Sequence, residues 1–188
     1  VLAYFDDGEI DDNRVRKKYG LADKPRMADP RDSSKLGNNY ISQDADWINF
    51  EATLSTSTDQ IAIAPGYLQK TWEKDGKKYF HYKMDAPILN FYAFMSARYE
   101  TKKEKYNGKD LEIYYQKGHE YNLDRMMASM KKALDYYESN YGPYQFKQMR
   151  IIEFPSSMGT FAQAFANTVP FSEGIGFIAK VDEDDPNA

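Results

Sequence analysis

Few side chains in this sequence could perform chemistry. The chain has two histidines, His81 and His119, and no cysteine, so it offers neither a disulfide nor a thiolate metal site. His119-Glu120 matches the start of the His-Glu-x-x-His pattern of zinc peptidases, but Leu123 stands where the second histidine is needed. We therefore expect no metal ligands in this chain, and we expect each histidine to be hydrogen-bonded locally in a strand or loop.

Other catalytic patterns are missing from the sequence. It contains no Gly-x-Ser-x-Gly nucleophile elbow and no Gly-rich phosphate loop. Gly174-Ile175-Gly176 is too short for a dinucleotide fingerprint. The acidic run 182–185 could attract a hard cation, but it lacks the spaced ligands of a calcium loop and fits a solvated linker better. We expect no catalytic residue within this chain.

One carboxylate, Glu173, has a neighbourhood that suits ligand binding. It lies between Ser172 and Gly174, at the start of an apolar run over residues 174–179 that we interpret as a final strand. Glycine beside it would let a ligand approach the backbone, and a glutamate there can bind a protonated amine through a charge-assisted hydrogen bond. The same pattern also fits a surface carboxylate at the end of a strand.

The residues upstream predict an antiparallel β module. Apolar and polar residues alternate from Ile48 to Leu54, and a short strand follows at residues 61–63. Asp75-Gly76 and Asn107-Gly108 each separate two alternating runs, which is a strong hairpin signal because both turn residues tolerate positive φ. A further strand is expected within residues 87–100. About six strands without an intervening helix indicate an antiparallel sheet or sandwich.

The period of the pattern then changes to that of a helix. Apolar residues fall three and four positions apart between residues 123 and 137, with Asn122 placed to cap the first turn and Gly142-Pro143 to end the helix. We expect the methionines of this face to fill the core. A strand over residues 147–154 and a loop over residues 156–170 follow. The fold class is therefore α+β.

Composition limits the partners. The net charge of −4 comes from 29 acidic and 25 basic residues that are mixed along the chain, so we expect no nucleic acid. We interpret residues 1–37 as a charged arm with one helical turn near residues 13–19. No apolar run approaches the length of a membrane span. Because the chain begins with Val1, we expect it to be part of a longer protein.

The order of these parts resembles the region just upstream of the zinc helix in aminopeptidase N-like zinc metallopeptidases, the gluzincins. The resemblance rests on the helix end at 136–144, the strand 149–154 and the segment 170–178. In that family a Gly-Ala-Met-Glu-Asn motif precedes a Gly-Leu-Ile-like strand, and the glutamate, the later glycine and the final apolar pair match here. Segments 59–66, 118–122 and 161–165 look like a bacterial branch fused to an ABC-transporter-type permease.

The resemblance implies specific roles. Glu173 would bind the free α-amine of a peptide substrate, and Ser172 and Gly174 would line it. The zinc ligands and general base would come from a helix beyond Ala188, so this chain alone would hold no cofactor and hydrolyse nothing. Residues 38–118 would be the β-rich module, and 119–188 the first helix and strands of a thermolysin-like catalytic domain. The partners would be the peptide N-terminus, the rest of that domain and a permease segment, in the extracytoplasmic part of a membrane-tethered protein.

The sequence also departs from the family motif. Pro170, Phe171 and Ser172 replace Gly-Ala-Met, and Gly174 replaces the asparagine. Phe171 could fill space that a substrate side chain would use. The alternative is a non-catalytic peptide- or glycan-binding module of a transporter-associated membrane protein, in which some of the 16 tyrosines form the contact surface.

Overall fold

The computed structural model of the chain describes residues 10–24, 31–35 and 46–180. The chain divides into two units, Val1–Gln43 and Asp44–Ala188. In the first unit the described residues form helix α1 (Asn13–Lys18) and a 3-10 turn (Ser33–Lys35). The Asp12 carboxylate accepts the backbone N–H of Arg14 at 2.8 Å and so caps α1. The helical turn predicted near residues 13–19 is confirmed.

The described part of the second unit consists of eleven strands and two helices. The helices are α2 (Leu123–Tyr141) and α3 (Glu173–Gly176), and a 3-10 turn covers Ser156–Met158. The strands are β1 (Trp47–Ile48), β2 (Glu51–Ser57), β3 (Ile61–Ile63), β4 (Tyr67–Lys74), β5 (Lys77–Lys83), β6 (Ile88–Leu89), β7 (Met95–Ala97), β8 (Tyr99–Tyr106), β9 (Lys109–Gln116), β10 (Gln148–Phe154) and β11 (Thr168–Ser172).

These strands pair into four sheets. One has the order β2-β5-β4, two are the pairs β1-β6 and β3-β7, and the largest has the order β11-β10-β9-β8. All pairs are antiparallel except that β10 runs parallel to both β9 and β11. The mostly antiparallel α+β class predicted from the sequence is confirmed. The largest sheet takes strands from both sides of residue 118, and the domain boundaries at residues 37 and 118 stay predictions.

The two predicted hairpin turns have the expected geometry. Asp75 and Gly76, between β4 and β5, have φ values of 50° and 72°, and Asn107 and Gly108, between β8 and β9, have 46° and 75°. Positive φ at both central residues is the type I′ pattern that matches the twist of the flanking strands.

Helix α2 lies on the four-stranded sheet through its predicted apolar face. Met127 and Met130 are 1% and 3% exposed, which confirms that the methionine stripe fills the core. The buried residues of this cluster are Leu111, Ile113, Leu123, Met127, Met130, Leu134, Ile151 and Phe177. Burial of each such side chain stabilises the fold by about 1.5–3 kcal/mol relative to exposure. None of the helices among the described residues combines the length and apolar character needed to cross a bilayer.

Two expectations about the region around α2 and the C-terminal segment are wrong. Asn122 does not cap α2 through its side chain; its amide donates instead to the carbonyls of Gly176 and Ala179, both at 2.6 Å. Residues 174–179 are not a strand, because the chain turns into α3 at Glu173. The last register pair between β10 and β11 joins Phe154 to Ser172, and β10 ends there before a proline. Beyond Ser172, β11 therefore has no partner strand with which to form further backbone hydrogen bonds.

The outer side of β11 is covered by residues 161–165, which we call the edge-covering segment. The Ser172 N–H donates to the Phe161 carbonyl at 3.0 Å, and the Gln163 N–H donates to the Pro170 carbonyl at 3.1 Å. Phe165 and Thr168 exchange two further backbone bonds. The predicted loop over residues 156–170 is therefore too long: residues 168–170 belong to β11, and residues 161–165 pair with that strand.

Candidate functional site

Glu173 lies where two parallel strands end side by side. Strand β10 leads into the 3-10 turn that begins at Ser156, and β11 leads directly into Glu173. Because the strands are parallel, both connections emerge at the same edge of the sheet. The Glu173 Oε1 atom accepts the backbone N–H and the hydroxyl of Ser156, both at 2.8 Å. The sheet topology therefore fixes the position of this carboxylate.

Glu173 remains charged in this setting. The bond from the backbone N–H of Ser156, then the bond from its hydroxyl, lower the pKa of Glu173 below its ordinary value, while burial acts weakly in the opposite direction. The side chain is only partly buried, and no described residue donates a hydrogen bond to its Oε2. The site therefore offers a fixed anionic oxygen to a cationic ligand.

The two neighbours that were predicted to line the substrate have different environments. Ser172 is completely buried, and its Oγ has no hydrogen-bond partner among the described residues. Gly174 is exposed, and a Cβ there would meet Ser156 Cβ and Thr160 Oγ1 at 3.7 Å, which is ordinary contact. Packing therefore does not require glycine at position 174. The site roles of Glu173, Ser172 and Gly174 stay predictions.

Sequence reasoning missed a second carboxylate, Glu153 on β10, that lies beside Glu173. Glu153 is 1% exposed. Its Oε2 accepts the backbone N–H of Gln116 at 2.5 Å, and its Oε1 pairs with Nδ1 of His119, which lies in the turn between β9 and α2. One donor atom from each of His119, Glu153 and Glu173 lies within 4.8 Å of the other two. The available signal was a charged residue inside the apolar run of β10, since buried carboxylates need partners.

The other histidine has a different partner set. The Nε2 of His81 lies 2.8 Å from Glu51 Oε1, and Lys83 Nζ lies 2.9 Å from Glu51 Oε2. Both histidines are thus hydrogen-bonded, but to carboxylates 30 and 34 positions away in the chain rather than locally as expected. His119 precedes the first residue of α2, so the His119-Glu120 pair is not on a helix.

Comparison with known proteins supports a likeness of fold. No protein-family model matches the chain, and no curated protein matches it either. The M1 zinc metallopeptidase from Deinococcus radiodurans superimposes with a TM-score of 0.59 at 13% identity, over 68% of this chain and 31% of that chain. A mutant of that enzyme bound to a Tyr-Ser-Ala substrate gives 0.58 at 14% identity, over 68% and 30%.

This chain shares its fold with part of an M1 zinc metallopeptidase. A two-domain M1 zinc metallopeptidase mutant bound to L-arginine gives a TM-score of 0.60 at 13% identity, over 69% of this chain and 31% of that chain. The chain therefore spans about a third of the length of these structures. The predicted resemblance to aminopeptidase N-like zinc metallopeptidases agrees with these neighbours, whereas none of them supports the permease fusion.

Proposed function

We propose that this chain is the part of an aminopeptidase-like zinc metallopeptidase that precedes the zinc helix, and that Glu173 holds the protonated α-amine of a peptide substrate. The observation that carries the proposal is the charged carboxylate of Glu173, fixed by two hydrogen bonds from Ser156 at the ends of two parallel strands. The fold likeness to an enzyme crystallised with a tripeptide substrate supports it.

The chemical role of Glu173 would be to position the peptide. A charge-assisted hydrogen bond between its carboxylate and the ammonium group fixes one end of the substrate. That bond sets which peptide carbonyl reaches the reacting group, and such positioning can account for much of the catalytic rate. In an enzyme of this kind, zinc supplies an activated water.

The residues described here do not fit the ligand set of a zinc helix. In residues 46–180 the two histidines lie on β5 and in the turn before α2, so no helix presents two histidines four positions apart. We therefore assign the zinc ligands and the general base to sequence outside this chain, within roughly 40 residues after Ala188 by typical connection lengths. We propose that the chain alone hydrolyses nothing.

We also propose that the rest of the catalytic domain covers an apolar groove between α2, β10 and β11. The residues that line it include Met130, Ile151, Asn122 and Ala179. The groove fits this partner because the chain spans only about a third of the structures that share its fold. The substrate partner would be a peptide with a free N-terminus.

The wider context is a separate proposal. From segments 59–66, 118–122 and 161–165 we propose that the parent protein carries an ABC-transporter-type permease segment and that this part lies outside the cytoplasm. Protease added to intact bacterial spheroplasts should digest this region of the parent protein. Digestion only after lysis would contradict the proposed location.

The amine-binding role can be tested by kinetics in the parent protein. We expect Glu173→Gln to lower kcat/KM for an aminoacyl chromogenic substrate roughly 30-fold or more, because the ammonium loses its charged partner. Zinc held by the ligands outside this chain should be unaffected, because Glu173 is not among those ligands. Glu120→Gln is the matched control, since this exposed glutamate also accepts a backbone N–H, from Gly118 at 2.9 Å. Unchanged kinetics for Glu173→Gln would remove Glu173 from the site.

One observation favours the alternative of a non-catalytic binding module. Tyr136, Tyr137 and Tyr141 near the end of α2 are 57%, 60% and 76% exposed, and their rings contact one another. Exposed aromatic clusters are typical of peptide- and glycan-binding surfaces. A parent protein that lacks His-Glu-x-x-His and a distal glutamate after Ala188, and whose ligand binding is lost in Tyr137→Ala and Tyr141→Ala, would support this alternative over the enzyme.

A further inference from the structure

We propose that His119, Glu153 and Glu173 form a binding site for a divalent cation of the zinc class. Zinc is commonly held by imidazole nitrogen and carboxylate oxygen, and cobalt takes the same ligands. The three residues come from three parts of the fold: the turn before α2, strand β10, and the junction between β11 and α3. Their proximity is a product of the parallel arrangement of β9, β10 and β11.

The distances suit a metal ion. One donor atom from each of the three side chains lies within 4.8 Å of the others. A cation centred among donors at this spacing lies within about 2.8 Å of each, so shifts of less than about 1 Å reach the zinc-ligand distances of about 2.1 Å. His119 and Glu173 are partly exposed, so water can fill the remaining coordination positions.

Each carboxylate is already held in place by a main-chain donor. The Gln116 N–H binds Oε2 of Glu153, which leaves Oε1 directed at His119. Likewise, the Ser156 N–H and hydroxyl bind Oε1 of Glu173, and its Oε2 has no hydrogen bond from the described residues. Metal-ligating carboxylates are typically oriented by such outer hydrogen bonds. The scaffold therefore fixes the ligands before any cation arrives.

The charge of the cluster also favours the binding of a cation. Two carboxylates lie beside a single histidine, and in residues 46–180 neither glutamate has a lysine or arginine partner. The pair of His81 and Glu51 is the internal contrast. There the carboxylate is also bound by Lys83, so a cation already occupies the place that is open beside His119.

This inference goes beyond the proposed function and does not depend on it. A metal ion at the cluster and the α-amine of a peptide would both engage Glu173, so they would compete for it. Binding of the metal alone can therefore be measured without any substrate. Amine recognition is measured by kinetics, and cation binding is measured by direct titration. Failure of either proposal therefore leaves the other one testable.

The test is a titration of the 188-residue chain with ZnCl₂, followed by calorimetry and by NMR of the two imidazole side chains. We expect one equivalent of Zn²⁺ to shift the imidazole resonances of His119 and leave those of His81 unchanged. Co²⁺ should give the visible absorption of a site with low coordination number. His119→Gln and Glu173→Gln should each weaken Zn²⁺ binding about 10-fold or more. His81→Gln is the matched control and should change nothing.

Several results would overturn the proposal. Zn²⁺ that binds without shifting His119, or that binds equally well to Glu173→Gln, would show that the ion is held elsewhere, for example by the acidic run 182–185. Equal weakening in His81→Gln would show non-specific binding through imidazole. Glu153→Gln tests the buried ligand, and an unchanged amide NMR spectrum outside the cluster confirms that this variant still folds. Unaltered Zn²⁺ affinity in that folded variant would contradict the three-ligand site.

Discussion

Both hydrogen bonds that fix the carboxylate of Glu173 come from one residue, Ser156, whose N–H and hydroxyl lie 2.8 Å from the same oxygen. The hydroxyl is the part of this relationship that a mutation can remove. We expect Ser156→Ala to raise the pKa of Glu173 toward its ordinary value, because one of the two bonds to the charged form is lost. NMR titration of the glutamate carboxyl carbons measures this shift.

The sign of the pH effect follows from the direction of the shift. Because the folded state lowers the pKa of Glu173, the bonds from Ser156 stabilise the fold above the unfolded pKa, and this contribution is lost as the pH falls through the folded pKa. In Ser156→Ala this contribution should be smaller, and its loss should be complete at a higher pH, because the folded pKa of Glu173 lies closer to the unfolded one. The carboxyl of Glu120, whose pKa is lowered mainly by the Gly118 N–H, should titrate as before in the same spectra. An unchanged pKa of Glu173 in Ser156→Ala would contradict the role assigned to the Ser156 hydroxyl.

We expect Ser172→Ala to leave the free energy of unfolding unchanged or to raise it by about 1–2 kcal/mol. The Ser172 hydroxyl is fully buried without a hydrogen-bond partner among the described residues, and an unsatisfied buried hydroxyl costs about 1–3 kcal/mol. Urea unfolding of the chain measures the difference. A clear loss of stability would mean that the hydroxyl has a partner, and a changed KM in the parent protein would support its predicted role beside the substrate.

Arg150 should be among the residues whose loss is most costly. It is 1% exposed, and its Nη2 atom donates to the carbonyls of Ala64 and Gly66 at 2.8 Å and to Thr168 Oγ1 at 3.0 Å. We expect Arg150→Met to lower the free energy of unfolding by about 2–4 kcal/mol, because the Ala64 carbonyl and Thr168 Oγ1 lose this donor and, among the described residues, the Gly66 carbonyl keeps only the Asn167 amide at 3.3 Å. Urea unfolding provides the measurement.

The matched control for this variant is Arg98→Met. Arg98 is an exposed arginine that pairs with Asp59 at the surface. Exposed ion pairs contribute about 0–1 kcal/mol, so this variant should be close to wild type. Equal losses for the two arginines would contradict the structural role assigned to Arg150.

The buried phenol of Tyr82 should contribute to the loss of stability at alkaline pH. Its hydroxyl donates to the Ala62 carbonyl at 3.0 Å, and burial raises the pKa of Tyr82 to about 12. The fold thus favours the neutral phenol; this contribution is complete below the ordinary tyrosine pKa of about 10 and is lost as the pH rises toward the folded value. We expect Tyr82→Phe to lose about 1 kcal/mol at neutral pH and to show a shallower decline in stability above pH ~10. Tyr121→Phe, at an exposed position, should show neither effect.

Local sequence patterns correctly predicted the structural elements that depend only on neighbouring residues. Asp75-Gly76 needs only two residues that accept positive φ, and the stripe through Met127 and Met130 needs only the helical period. The prediction of a final strand over residues 174–179 was wrong for a non-local reason. An apolar run such as 174–178 is compatible with a strand or a helix, and what decides is that β10 ends at Phe154 and offers no further partner.

The candidate site shows the same limit. Glu173 could be singled out from its immediate neighbours, but it was placed at the start of a strand, whereas the structure places it just after the end of β11. Its proximity to His119 and Glu153 could not be predicted from spacing, because His119 and Glu153 are themselves 34 positions apart in the chain and the cluster is brought together only by strand pairing. A search for ligands four residues apart cannot detect such a cluster.

The four-stranded sheet is closed to growth at both of its sides. On one side, the edge-covering segment already uses the outward-facing backbone groups of β11. On the other side, β8 carries Lys102 and Lys103 between Glu100 and Glu104, with Lys105 after them, and such charges discourage strand addition. Deletion of residues 161–165 would therefore expose the backbone groups of β11, and a second copy of the protein would be able to pair with this edge.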